Sequence, residues 1–248
     1  TKKIKQKELQ IKYDWVGFKK YKRVVNDQEY QDAAKFTFIY VIISVFVEII
    51  LGLFLAFLFN RRIYGRGFMR SLMILPIFAT PFAIGFMFFT ILFEISGPLA
   101  WMGIPFLSNH NWAPFSVMLV DIWQWTPFCF LVFLAALQGI PDDLIEAATL
   151  DTKSAYKIWT SVILPLLQPI IVLVILLRVA ESAKLYDYIA SLTKGGPGTA
   201  TQSVSFLVFN KAFKMNDFGY ASAGSFLMLI VVMVFVMLFF TRLRKTYE

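Results

Sequence analysis

The residues in this chain that can do chemistry are few, and most lie where ionisable groups are costly. His110 and Cys129 are the only histidine and cysteine among 248 residues. There is no HExxH zinc-protease signature and no GxxxxGK[ST] phosphate loop, so the chain holds neither a metallopeptidase site nor a nucleotide motor. A lone cysteine forms no intrachain disulfide, and Cys129, inside an apolar stretch, reads as a small core residue. His110, between Asn109 and Asn111, reads as a surface residue. The remaining polar chemistry interrupts apolar runs. Glu48 breaks one, Asp121 another, and Arg178, Glu181 and Lys184 recur at helical spacing in a third. Such groups must be buried in protein or face water, so this last set either lines a cavity or forms a structural ion pair with a partner. Glu48 reads as an interhelix contact rather than a proton relay, because no second acid follows it on that helix. Asp121 is followed by Trp123, Gln124 and Trp125. Rings stack on the apolar faces of sugars, and carboxylates or amides bond hydroxyls, which makes this group a candidate sugar path together with Arg178, Glu181 and Tyr186. The plainer reading is an interfacial aromatic belt with Asp121 facing outward near a helix start.

A second pattern is one that hydropathy does not require: Ile140-Pro-Asp-Asp-Leu-Ile-Glu146-Ala147-Ala148-Thr-Leu-Asp151-Thr152. Proline followed by two acids opens a helix, because proline fits the first turn and acids there favour the dipole. Ile145, Ala148 and Thr149 then share one face. A second short amphipathic segment, 154–163, leads to Leu164-Pro165. A surface helix pair with Ala147 and Ala148 exposed suits docking into a groove on a partner, since small side chains let backbones approach; an ordinary interfacial helix is the alternative.

The elements that must carry these residues follow from composition. The chain is 58% hydrophobic and 17% aromatic, and only 16% charged against roughly 25% in soluble domains. That leaves too little polar surface for a water-soluble globule and points to an all-α integral membrane protein. The net charge of +8 then reports loop orientation rather than nucleic-acid binding. A bilayer core of about 30 Å needs about 20 helical residues. Five stretches qualify: 36–59, 71–93 with Pro76 and Pro81 inside it, 114–137, a run from 163 that Arg178 cuts short, and 218–241. The fourth is the weakest, and hydropathy alone would also allow a re-entrant segment there. The chain divides into an outer segment 1–35, a membrane domain 36–241 containing the loop 140–165, and an inner tail 242–248.

Arg61, Arg62, Arg66 and Arg70, with no acid among them, mark the first connection as cytoplasmic, and Arg242, Arg244 and Lys245 agree. The loop at 138–162 is then inside, while 94–113 and 191–217 are outside. The stretch 95–105, broken by glycine and proline, lies along the interface, and Gly195-Gly196-Pro197-Gly198 forms a tight turn. Residues 1–35 hold ten basic and five acidic residues yet fall outside. A sixth helix upstream of Thr1 resolves that conflict, as would a first segment that starts on the inside; the upstream helix is the expectation.

Around Glu146-Ala147-Ala148, Thr152, Val162 and Leu164-Pro165 the spacing resembles the EAA loop of binding-protein-dependent ABC importer permeases of the carbohydrate-uptake class, the maltose type. The resemblance extends through Val16-Gly-Phe, Asn60-Arg61, Gly65-Arg66, Leu75-Pro76, Trp123-Gln-Trp-Thr-Pro, Leu192-Thr-Lys-Gly-Gly-Pro197 and Phe218-Gly-Tyr-Ala. It implies a type I importer permease fold in a bacterial or archaeal inner membrane. It also implies a second permease subunit, two cytoplasmic ATPases holding ATP and magnesium, and an extracytoplasmic solute-binding protein. Glu146, Ala147, Ala148, Asp151, Thr152, Leu164 and Pro165 would form the ATPase-coupling segment, and Gly195, Gly196 and Pro197 a contact for the binding protein. This chain would hold no cofactor and catalyse nothing itself. Two positions depart from the family pattern, which usually has Gly at Thr152 and often Ile at Val162, so the turn at Thr152 is made without the positive φ that glycine allows. A secondary carrier or channel is the rival reading, motivated by the broken helices and by Glu48 and Asp121. A membrane scaffold without a docking loop and an intramembrane enzyme are further alternatives.

Overall fold

A computed structural model describes residues 17–60 and 64–247, with side chains through 241. Val16, Arg61, Arg62 and the side chains of Arg242, Arg244 and Lys245 lie outside the described residues. No strand occurs among the described residues. The helices are α1 (Lys19–Val25), α2 (Gln28–Asn60), α3 (Arg66–Ile74), α4 (Pro81–Leu92), α5 (Trp112–Gln138), α6 (Asp142–Asp151), α7 (Ala155–Ile158), α8 (Leu164–Ser182), α9 (Val204–Phe209) and α10 (Phe218–Tyr247).

Among the described residues four unbroken helices are long and apolar enough to cross a membrane: α2, α5, the continuous run Ala155–Ser182, and Phe218–Thr241 of α10. The stretch expected as a second span is not one straight helix. Arg66–Phe78 and Pro81–Leu92 meet at a bend of 101°. The chemistry of the break is local. Pro81 supplies no N–H and disfavours helix at the residue before it, so Thr80 is extended (φ −67°, ψ 143°) and its hydroxyl accepts from Ala83 N at 3.4 Å as the N-cap of α4. Counted as one bent span, the pair brings the total to five. The fourth stretch, by contrast, is firmer than hydropathy implies. It begins at Ala155 and runs through a π-helical turn at Trp159–Ile163 into α8, so the expected second surface helix is the first turn of a spanning helix.

At 33 residues α2 is about 50 Å long, well beyond the hydrocarbon thickness, and it starts at Gln28, ahead of the apolar run. Its main packing partner is α5. The two approach closely because Gly52 has no side chain: a Cβ there would lie 2.5 Å from Cys129 Cβ. Ala56, Phe59, Phe130, Phe133 and Leu167 close the core at that end. At the carboxyl end of α2 a cation is missing from the last turn, and Arg70 of α3 reaches back to donate to Phe59 O at 2.9 Å. Outward faces of α2 and α10 remain apolar, with Phe38, Phe46, Phe54, Leu229, Val234 and Leu238 exposed to whatever surrounds the chain.

At the opposite end, polar contacts clasp α1 to the start of α10. Asp217 meets Arg23 at 2.8 Å and Lys20 at 3.4 Å, Tyr220 donates to Asp27 at 2.6 Å, and Lys211 meets Glu29 at 2.6 Å. Tyr220 N donates to Asp217 Oδ1, and this bond first, then Lys20 and Arg23, hold the Asp217 carboxyl below its ordinary range. In the stretch after α4, Glu94 accepts from Leu107 N and Ser108 N at 2.7 Å. Partial burial pushes its carboxyl up, but the bonds from Ser108 and Leu107 outweigh that and leave it lowered. The stretch 95–105 is irregular with one 3₁₀ turn, and Ile95 and Trp101 are both more than four-fifths exposed.

Two outcomes are expected. Gly52→Ala forces α2 and α5 apart and should lower stability by about 1–3 kcal/mol, whereas Gly67→Ala, with nothing within 4 Å of the new methyl, should be neutral or slightly stabilising; thermal unfolding of the detergent-solubilised protein separates them. Because Asp217 is depressed in the folded state, its contribution is present above the ordinary carboxylate pKa of about 4 and is lost as pH falls through its lower folded value. The stability difference between the parent protein and Asp217→Asn should therefore shrink as pH is taken from about 5 to about 3.

Candidate functional site

Arg178 is the largest fully buried side chain in the structure, 1% exposed in the middle of three helices. Its Nε donates to Glu48 Oε2 at 2.6 Å and its Nη2 to Glu48 Oε1 at 2.9 Å, a two-pronged pairing of α8 with α2. Nη2 also lies 3.3 Å from Asp121 Oδ1 on α5 and 3.0 Å from Ser182 Oγ one turn away. The Trp125 ring covers one face of the guanidinium at 4.5 Å. The outward position considered for Asp121 is therefore wrong. It is 2% exposed and turned inward, because a carboxylate in an apolar run is tolerable only against a cation. The three charges grouped by helical spacing on α8 also part company. Arg178 is internal and pairs within this chain, while Glu181 and Lys184 form an exposed pair at 3.0 Å.

The polar chain continues from Trp125. Its Nε1 donates to Tyr188 Oη at 3.1 Å, Tyr188 donates to Gln124 Oε1 at 2.7 Å, and Gln124 Nε2 donates to Ala79 O at 2.8 Å. Gln124 thus satisfies a carbonyl freed at the break between α3 and α4. Trp123, next in sequence, points elsewhere: it is 43% exposed and packs edge-on against Phe88. Of the expected sugar-path residues, Asp121, Trp125, Arg178, Glu181 and Tyr186 line one cavity of about 170 Å³, Gln124 supports its wall, and Trp123 is outside it. Tyr186 also borders a wider cleft of about 520 Å³ between α9 and α10.

Sequence reasoning passed over Tyr188, Tyr40 and Ser44. Tyr40, Ser44 and Glu48 are all buried at four-residue intervals along α2. That polar stripe in an apolar helix was a readable signal. Tyr188 carried none, since it follows a break after α8 and reaches the site only through the fold.

At the other end of α5, the loop after Gln138 forms α6. Asp142, Asp143, Glu146 and Asp151 are all exposed, and the helix has no base. Ala147 is exposed but Ala148 is buried, so the pair does not form one open face as expected. Leu144 flanks an apolar groove of about 290 Å³ with Ile140, Leu166 and Ile170. Thr152 is extended (φ −149°, ψ 138°), a region that suits a β-branched residue, so this turn needs no glycine. Its hydroxyl accepts from Ser154 N at 3.2 Å, and Ser154 caps α7 by accepting from Lys157 N. Leu164 is half-buried and Pro165 exposed at the start of α8, where the missing N–H is harmless.

The glycine turn is more internal than a surface loop. Gly195 takes φ 89° and is buried against Phe206, whose ring would meet a Cβ at 3.0 Å. Gly196 O accepts from Thr201 Oγ1 at 2.8 Å, Pro197 is half-buried, and Gly198 and Thr199 form the exposed tip.

Residues 48–248 match the family model described as the binding-protein-dependent transport system inner membrane component. The chain belongs to that family. It is 36% identical over 233 residues to the trehalose/maltose transport system permease protein MalF of Thermococcus litoralis, covering 91% of this chain and 78% of that protein. It is 30% identical over 246 residues to the multiple sugar-binding transport system permease protein MsmF of Streptococcus mutans, covering 97% and 84%. In fold it matches the crystal structure of a bacterial alginate ABC transporter in complex with an alginate pentasaccharide-bound periplasmic protein, at TM-score 0.83 and 22% identity, covering 94% of this chain and 84% of that one. This permease is thus a polytopic transport subunit of the type I importer fold.

For the permease, Arg178→Ala should be strongly destabilising, by about 3–5 kcal/mol, because it strands two buried carboxylates. Adding Glu48→Gln to it should recover part of the loss. A double-mutant cycle on thermal stability measures that coupling, and strict additivity would show that the pair does not interact.

Proposed function

We propose that this permease carries a sugar across a bacterial or archaeal inner membrane as part of an ATP-driven importer. In this reading it pairs with a second permease subunit, two cytoplasmic ATPases that bind ATP and magnesium, and an extracytoplasmic solute-binding protein. The observation that carries it is α6: four exposed acids and no base on a short helix beside the start of α8. An isolated acidic helix gains nothing from such a surface, but a basic groove on an ATPase would be matched to it. Glu146 supplies a charge-assisted contact, Ala147 permits close approach, and Asp151 extends the acidic face. Thr152 sets the turn that feeds the helix Ala155–Ser182, whose first residues include Leu164 and Pro165. Movement of α6 is transmitted along that helix to Arg178.

The sugar path is the cavity bordered by Asp121, Trp125, Arg178, Glu181 and Tyr186, where rings and hydroxyl-bonding groups face one another. Gln124 holds the bent span beside it. The turn containing Gly195, Gly196 and Pro197 lies on the outer side in this orientation and presents its tip to the binding protein.

Glu146→Lys reverses the charge at the centre of α6 without touching the core. It should reduce uptake of the cognate sugar at least about a hundredfold, through loss of a charge-assisted contact plus like-charge repulsion, while membrane insertion and expression stay normal. Full uptake by this variant would remove the coupling assignment.

A further inference from the structure

We propose that the cavity beside Arg178 selects against acidic cargo, passing uncharged or cationic sugars, and that Asp121 sets this preference. The inference rests on the cavity being the sugar path. Its walls carry Asp121, Glu181 and Asp187 against Arg178 and Lys184, and Glu48 stands directly behind Arg178. Four acids thus oppose two bases. Both cations have carboxylate partners. The Arg178 Nε and Nη2 are taken by Glu48, with Asp121 and Ser182 sharing Nη2, and Trp125 covers a face of the group. Lys184 is held by Glu181 at 3.0 Å.

Glu48 takes the short, two-pronged contact and Asp121 the longer one, at 3.3 and 3.4 Å. Asp121 therefore has the weaker contact with Arg178, and it is the acid on the cavity wall. Tyr40, fully buried and also on that wall, adjoins Asp121. A uronate or sugar phosphate would meet an excess of wall carboxylates in a low-dielectric setting where both cations already have carboxylate partners.

The test measures the potential at the cavity without needing the cargo's identity. In the complete importer in native membranes, with Cys129→Ala as background, Ser182→Cys is reacted with two methanethiosulfonates, one bearing a trimethylammonium and one a sulfonate. The ratio of cationic to anionic rates is divided by the ratio at Thr199→Cys on the exposed turn tip. A normalised ratio of about ten or more is expected, falling several-fold when Asp121→Asn is added. Asp187→Asn, an exposed wall residue, should also lower it and serves if Asp121→Asn does not fold. A ratio at or below that of the tip, or one indifferent to both neutralisations, overturns the proposal. So does failure of both reagents to reach either Ser182→Cys or Tyr186→Cys. Because no transport is needed, a failed Glu146→Lys experiment would unseat the importer reading and leave this measurement standing.

Discussion

Placing a guanidinium in the middle of a membrane domain is so unfavourable that everything around it must answer to it. Arg178 is tolerated because α2 brings Glu48 and α5 brings Asp121 to the same point, while Trp125 shields a face of the charge. Three spanning helices are therefore held in a fixed angular relation by one side chain. Apolar packing alone specifies such relations weakly in lipid, where there is little hydrophobic drive to bring one helix against another. The close approach of α2 to α5 at Gly52 fixes their separation, and the ion cluster fixes their rotation.

The same cluster ties the bent second span to the rest. A 101° break inside a membrane domain frees backbone groups that lipid cannot satisfy, and it is acceptable only where protein meets them. Thr80 caps one side of the break and Gln124 reaches a carbonyl on the other. Gln124 is oriented in turn by Tyr188, and Tyr188 by Trp125, which lies against Arg178. A shift of α8 would be felt at the break through the ring contact on Trp125 and the hydrogen bonds that follow it. The first turns of that long helix lie beside α6, so α6 and the buried cluster share one mechanical element.

That arrangement separates two kinds of charge in the chain. Buried charges are paired and hold helices together. The acids of α6 are exposed and unpaired by any base of their own helix, which is the state expected of a surface waiting for a complementary partner. The clasp of α1 and the start of α2 onto the residues leading into α10 is a third case, with partly exposed pairs that are individually weak but several in number.

Much of this protein was legible without coordinates. Long apolar runs must become helices in lipid, because only a helix satisfies its own backbone within one segment, and so the all-helical spanning architecture followed from composition and run length. The acidic opening of α6 was readable from Pro141, Asp142 and Asp143, whose preferences act over a single turn. Ionisable residues inside apolar runs marked Glu48, Asp121 and Arg178 as important, but not which way they faced. Asp121 read as outward and proved internal, and Arg178 separated from Glu181 and Lys184, because pairing across 57 and 130 residues of chain depends on how helices pack and leaves no local trace. The sharp bend at Thr80, the burial of Ala148 and the arrival of Tyr188 beside Gln124 were likewise decided by packing. Short-range preferences determine which segments are helices; only the tertiary structure determines which of their polar groups meet.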